Sequence, residues 1–222
     1  MNTPNETEAQ LVARIAKQYA SDGYQVYLNP KPAELPFELG SYRPDIIAMK
    51  SPDDGFVVEV KSRASKVSVD QFRQISETIN AHKGWRFILY TSDDLGESTA
   101  GQMPERRALS WSQIRAREST GESLLESNEY EAAFLTLWGS LEAAMRQRAQ
   151  QMAIPIDQFP TTSLINQLYS QGELSMKQFD KARELMNIRN QLAHGFQTTN
   201  VERAARELQE LMFELYQAWH SE

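Results

Sequence analysis

The stretch from Arg43 to Arg63, RPDIIAMKSPDDGFVVEVKSR, constrains this chain most, because it reads as a β-hairpin with charge placed inside it. Ile46-Ile47-Ala48-Met49 is an apolar run, and Ser51-Pro52-Asp53-Asp54-Gly55 carries the residue types that reverse a chain between strands. Phe56 to Lys61 is the returning strand. Its period of two sends Phe56, Val58 and Val60 to one face and Val57, Glu59 and Lys61 to the other. A carboxylate and an ammonium thus share one face of a largely apolar strand. Buried charge is costly unless it is paired or holds an ion. An edge-strand salt bridge would account for the pair alone. The hairpin, however, also brings Asp45, at the head of the preceding strand, within reach of Glu59. Two carboxylates with backbone or water oxygens suit Mg2+. A divalent ion there sharpens a water nucleophile and neutralises charge building on a phosphate, and the Lys61 ammonium adds to both effects.

Pro44-Asp45 followed by Glu59-Val60-Lys61 resembles the PD-(D/E)xK nuclease superfamily, which includes restriction enzymes, Holliday-junction resolvases and repair nucleases. The resemblance implies Asp45 and Glu59 as ligands of Mg2+ or Mn2+. It implies Lys61 as the group that activates water or stabilises the pentavalent phosphate.

The surrounding pattern predicts the element order helix, strand, strand, strand, helix, strand. Thr7 and Gln10 are spaced as a capping box before a helix whose Leu11, Val12, Ile15, Ala16 and Tyr19 share a face, and Ser21-Asp22-Gly23 stops it. Tyr24 to Leu28 reads as a strand, and Asn29 to Tyr42, with Pro30, Pro32, Pro36 and Gly40, as a loop leading to Asp45. Ser68 and Gln71 are spaced to cap a helix with Phe72, Ile75 and Ile79 in phase, and Trp85 to Tyr90 is a further strand. This order matches the αβββαβ core of the superfamily, with the acids on the second and third strands. Glu8 fits two roles equally: the additional metal-binding acid that many relatives carry on the first helix, or an acid favoured by the helix dipole. Gln71 stands where some relatives reach the substrate, although a cap explains it more simply. Arg63, Lys66 and Arg73, with Lys61, form a local basic segment that can guide a phosphate backbone or stand as a solvated loop. His82 has no partner visible in sequence and reads as a surface residue.

With 222 residues, 41% of them hydrophobic, the chain can bury one large or two small cores. No apolar run approaches the ~20 residues of a membrane span, and the polar start MNTPNETEAQ is no secretory signal, so a cytoplasmic protein is expected. Cysteine is absent, which excludes disulfides and thiolate zinc sites. A net charge of −7 argues against nonspecific coating of nucleic acid.

Composition changes between Thr91 and Ser123, where Asp93-Asp94, Gly96, Gly101, Pro104 and Gly121 interrupt any period and a short helix is expected only from Trp111 to Arg117. The domains expected are therefore residues 1–100, a connector over 101–125 and a helical bundle over 126–222. In the last, Tyr130, Phe134, Leu137, Trp138, Leu141 and Met145 form one stripe, and Leu164, Ile165 and Leu168 suggest a short helix. Ser175 and Gln178 cap a third helix, and Thr199 and Glu202 a fourth that runs to Trp219.

The third helix ends in Arg189-Asn190-Gln191-Leu192-Ala193-His194-Gly195. Asn190 and His194 share a face, whereas Arg189 lies about 140° from His194. Ordinary helix-end chemistry explains Gly195 as a terminator and His194 as a residue favoured by the dipole. Together with the bundle, the segment resembles the Arg-x4–6-His motif of HEPN domains, and Trp138 to Arg146 is similar to their first long helix. That resemblance implies a homodimer whose paired motifs line one cleft. In active members, which cut RNA without metal, it implies His194 in proton transfer, Arg189 on the phosphate and Asn190 orienting the site.

An α+β two-domain protein follows: a mixed-sheet, restriction-endonuclease-like domain and an all-α HEPN-like bundle. The expected activity is Mg2+-dependent cleavage of nucleic acid, DNA before RNA, with a role in defence implied by the two families. The alternatives are a metal-independent ribonuclease of the helical domain and a noncatalytic scaffold.

Overall fold

The computed structural model describes residues 7–61, 69–91, 108–152, 154 and 160–219. The chain divides into two compact units, residues 1–100 with 158–172, and residues 101–157 with 173–222.

The first unit is built on a four-stranded sheet of β1 (Gln25–Leu28), β2 (Ile46–Ser51), β3 (Asp54–Lys61) and β4 (Trp85–Thr91), in that spatial order. β2 pairs antiparallel with both β1 and β3, and β3 pairs parallel with β4, so the sheet is mixed. Helix α1 (Glu8–Ser21) begins at the Thr7–Gln10 capping box and ends where Gly23, at φ +85°, takes the left-handed turn. It buries Leu11, Ile15, Ala16 and Tyr19, and the Tyr19 ring meets Phe56 of β3 at 5.6 Å between centroids. The opposite face of the sheet holds Ile47, Val57, Phe87 and Leu89 against Phe72 and Ile79 of α2 (Val69–Asn80). The two-residue alternation of the hairpin therefore has an apolar partner on both sides, which is why its strands carry few polar residues. Gly84 leads into β4 at φ +86°, and a Cβ there would stand 1.9 Å from the Asp53 carbonyl oxygen. His82 is exposed as expected, but its ring stacks on Phe37 at 3.8 Å between centroids.

Helix α5 (Thr161–Ser170) belongs to this unit, although sequence periodicity grouped it with the later helices. Gln167 shows why. It is 0% exposed; its Oε1 accepts from the Leu89 N–H at 3.0 Å and its Nε2 donates to the Phe87 carbonyl at 2.8 Å. Those are the β4 groups that point away from β3, so one side-chain amide takes the place of a peptide from a neighbouring strand. Gln171 adds a second donor to Phe87 O at 2.6 Å, and its Oε1 accepts from Asn80 at 2.5 Å.

The second unit consists of α3 (Trp111–Glu126), α4 (Tyr130–Gln151), α6 (Met176–Ala193) and α7 (Val201–Trp219). α3 is longer than the expected 111–117 and takes up most of the residues read as connector. A Ser110–Gln113 capping box starts it, and Gly121, read from the sequence as a breaker, is buried where a Cβ would meet the Leu137 side chain at 2.7 Å. The glycine is there for close approach of two helices rather than for a turn. α4 buries Phe134, Leu137, Trp138, Leu141 and Met145, and α6 starts at the expected Ser175–Gln178 box. α7 starts at Val201 after Asn200, at φ +62°, and the Glu202 carboxylate meets Arg206, not a Thr199 cap. A half-buried ion pair joins Arg148 to Glu173 at 2.7 Å, and Trp219 Nε1 donates to the Glu173 carbonyl.

Candidate active site

The β2–β3 register pairs Ile46 with Val58, so Asp45 falls one step further on, opposite Glu59. Asp45 Oδ2 accepts the Val60 N–H at 2.7 Å, which ties the first acid to the backbone of the strand that carries the second. Glu59 is 6% exposed, and among the described residues it is the one charged side chain in the buried set. Each of its two oxygens has its own partner. Lys61 Nζ lies 2.5 Å from Oε1, and the Tyr42 hydroxyl donates to Oε2 at 2.6 Å. Glu8, in the first turn of α1, brings its Oε1 to 3.9 Å from the same ammonium. The three sequence-derived residues of the hairpin thus converge, and Glu8 stands at their margin.

The electrostatics fit crowded acids with little solvent. Burial pushes the Asp45 carboxyl above its ordinary range; the Val60 N–H and Lys61 pull it back, and Glu8 adds to the push. Burial likewise raises Glu59, opposed by the hydrogen bonds from Lys61 and Tyr42 and reinforced by Asp45. For Lys61, burial alone would favour the neutral amine, but Glu59, Asp45 and Glu8 outweigh it and hold the ammonium above its usual range. Burial and the neighbouring Glu59 carboxylate push the Tyr42 phenol far above its usual range, so it keeps the proton it donates.

The remaining expected residues lie elsewhere. Gln71 is exposed in the first turn of α2, while Arg63 and Lys66, and the Ser68 of the expected cap, are outside the described residues. Arg73 is engaged inside the first unit: Nε meets Glu77 at 3.3 Å, and the guanidinium lies 5.6 Å from the Tyr169 ring centre. In the second unit, Arg189 Nη1 donates to Asn190 Oδ1 at 3.1 Å. His194 caps α6 in an exposed position, and Gly195, at φ +76°, with Phe196 closes the helix through N–H bonds to the Leu192 and Gln191 carbonyls. Sequence reasoning missed Tyr42. An aromatic residue in a Pro- and Gly-rich loop has no periodicity to mark it, and only the folded loop carries it to Glu59.

A mixed sheet between helices, with a buried glutamate, an aspartate and a lysine gathered at one end of its central hairpin, defines a restriction-endonuclease-like domain. Residues 1–120 match the family model of the AHJR-like restriction endonucleases (REase_AHJR-like), and the chain belongs to that family. This membership indicates a nuclease. No curated protein and no solved structure matches the chain. No helix among the described residues is long and apolar enough to cross a membrane.

Proposed function

We propose that the first unit is a divalent-metal-dependent endonuclease in which Asp45 and Glu59 hold Mg2+ or Mn2+ and Lys61 serves the reacting phosphate. The observation that carries this is that Asp45 lies opposite the buried Glu59 across the hairpin, with the Lys61 ammonium on Glu59 Oε1. Among the described residues no group of three or more His, Cys, Asp or Glu forms a cage for a metal. The donor set still fits Mg2+, which takes one or two carboxylates and fills its remaining positions with water and substrate oxygens. When bound, the ion supplies a more acidic water and offsets charge on the phosphate. The chain does the rest. Val60 N–H fixes Asp45, burial strengthens each local charge interaction, and Lys61 holds a positive charge where negative charge grows on the phosphoryl oxygens. Glu8 is close enough to adjust that ammonium without displacing Glu59.

DNA is the proposed substrate, with the helical unit pairing two chains so that two cutting centres meet a duplex or branched target, in defence against foreign nucleic acid. The exposed His194 beyond the Arg189–Asn190 contact favours a second activity, metal-independent cleavage of RNA. One experiment separates these. DNA and RNA are incubated with wild type, D45A and H194A, with Mg2+ or with chelator. DNA cleavage lost with chelator and with D45A supports the nuclease of the first unit. RNA cleavage that survives chelator but not H194A assigns the activity to the helical unit, and no cleavage under any condition leaves a binding scaffold.

A further inference from the structure

Glu59 is the most buried member of the proposed metal site, and a carboxylate on a strand can rotate about its side-chain bonds unless something fixes it. Lys61 cannot be the fixture if it must also attend the phosphate. Tyr42 has no such second duty. Its hydroxyl donates to Glu59 Oε2 at 2.6 Å, and its ring packs against the apolar cluster that includes Ile47, Val57 and Phe87.

The loop that delivers Tyr42 is itself braced. Tyr42 N–H donates to the Leu39 carbonyl at 3.1 Å, and Arg43 Nη1 donates to the carbonyls of Gly40 and Tyr42, each at 2.8 Å. Gly40 takes φ +60°, which permits the tight turn, and Pro44 disfavours a helical Arg43 just before Asp45. The same five residues therefore set both the phenol that grips Glu59 and the aspartate opposite it.

We infer that Tyr42 is a positioning residue of the metal site: it pins Glu59 through Oε2 so that Oε1, on the Lys61 side, is the oxygen offered to a divalent cation. This rests on the metal-site assignment above. A hydrogen-bond donor that orients a metal ligand typically contributes about 10- to 100-fold in metal affinity. A residue that merely fills space contributes through folding alone.

The test is calorimetric titration of Mn2+ into the metal-stripped full-length chain, with melting curves recorded in chelator. Y42F keeps the ring and removes only the donor. It should bind Mn2+ about 10- to 100-fold more weakly than wild type while melting within a few degrees of it. In an E59D background, where the shortened carboxylate retreats from the phenol, adding Y42F should change affinity less than twofold. Mn2+ affinity of Y42F within twofold of wild type, with binding by D45N lost, overturns the role of Tyr42 and leaves the metal site standing. Unchanged binding by both D45N and E59Q removes the metal site and Tyr42's role with it. A Y42F loss that repeats in full on E59D also refutes the inference, since the phenol would then act through something other than Glu59.

Discussion

Replacing Gln167 with leucine removes a side-chain amide that stands in for a strand, at nearly constant volume. Two bonds go: Leu89 N–H to Oε1 at 3.0 Å, and Nε2 to Phe87 O at 2.8 Å. Leu89 is 2% exposed, so its orphaned N–H bears the desolvation cost of a buried donor, about 1–3 kcal/mol. Phe87 O keeps its bond from Gln171 and loses one of two donors, worth about 0.5–1 kcal/mol. Q167L should therefore destabilise the first unit by about 1.5–4 kcal/mol, a large fraction of a typical domain's stability. The assay is urea unfolding followed by tryptophan fluorescence, with hydrogen exchange at the Leu89 amide as the local readout. Q167E sharpens the test. An ionised glutamate can accept from Leu89 but cannot donate to Phe87, whereas the protonated acid can do both. Burial raises that carboxyl's folded pKa, so the stability of Q167E is present at acid pH and lost as pH rises through the raised value. A Q167L change below about 0.5 kcal/mol, or Leu89 exchange no faster than in wild type, would refute the assignment of α5 as the cover of β4.

The candidate site should oppose stability. Because folding raises the Asp45 and Glu59 carboxyls, the stability each contributes is full below about pH 4 and is lost as pH climbs through the raised values; in chelator, D45N should melt higher than wild type at pH 7 and depend less on pH. If the acids bind metal, Mn2+ at 100 times its dissociation constant should add about 2.7 kcal/mol to wild type and nothing to E59Q, as read by thermal shift. G84A must force a Cβ to 1.9 Å from Asp53 O in a left-handed conformation, so it should cost upward of about 2 kcal/mol by urea titration. H194A, at an exposed helix end, should leave the melting curve within about 0.5 kcal/mol of wild type.

The hairpin was readable because its signals are local. Alternation over Phe56 to Lys61, a reversal at Pro52-Asp53 and an acid at the head of the first strand fix the register, which sets Asp45 opposite Glu59 and leaves Lys61 paired with Glu59. Caps were readable for the same reason, as at Thr7 and Ser175, except at Thr199, where an αL asparagine starts the helix instead. Partnership at a distance was not. Leu164, Ile165 and Leu168 announce that α5 is buried, but apolar spacing cannot say whether a sheet or a bundle receives it; the deciding residue is a glutamine, which sequence patterns count as surface. Gly121 failed in the opposite sense, since a glycine that lets helices touch and one that breaks a helix look alike in sequence.

The route of α5 also sets a timetable for synthesis. The last piece of the first unit, residues 158–172, leaves the ribosome only after α3 and α4 have been made. Until then the outer backbone of β4 has no cover from this helix, and an apolar strand with bare amides is a template for sticking to another chain. A fragment cut at residue 120, which spans the whole family match, would stay in that unfinished condition permanently. Such a fragment should clump when expressed alone, and supplying residues 158–172 on a flexible tether should restore it to solution.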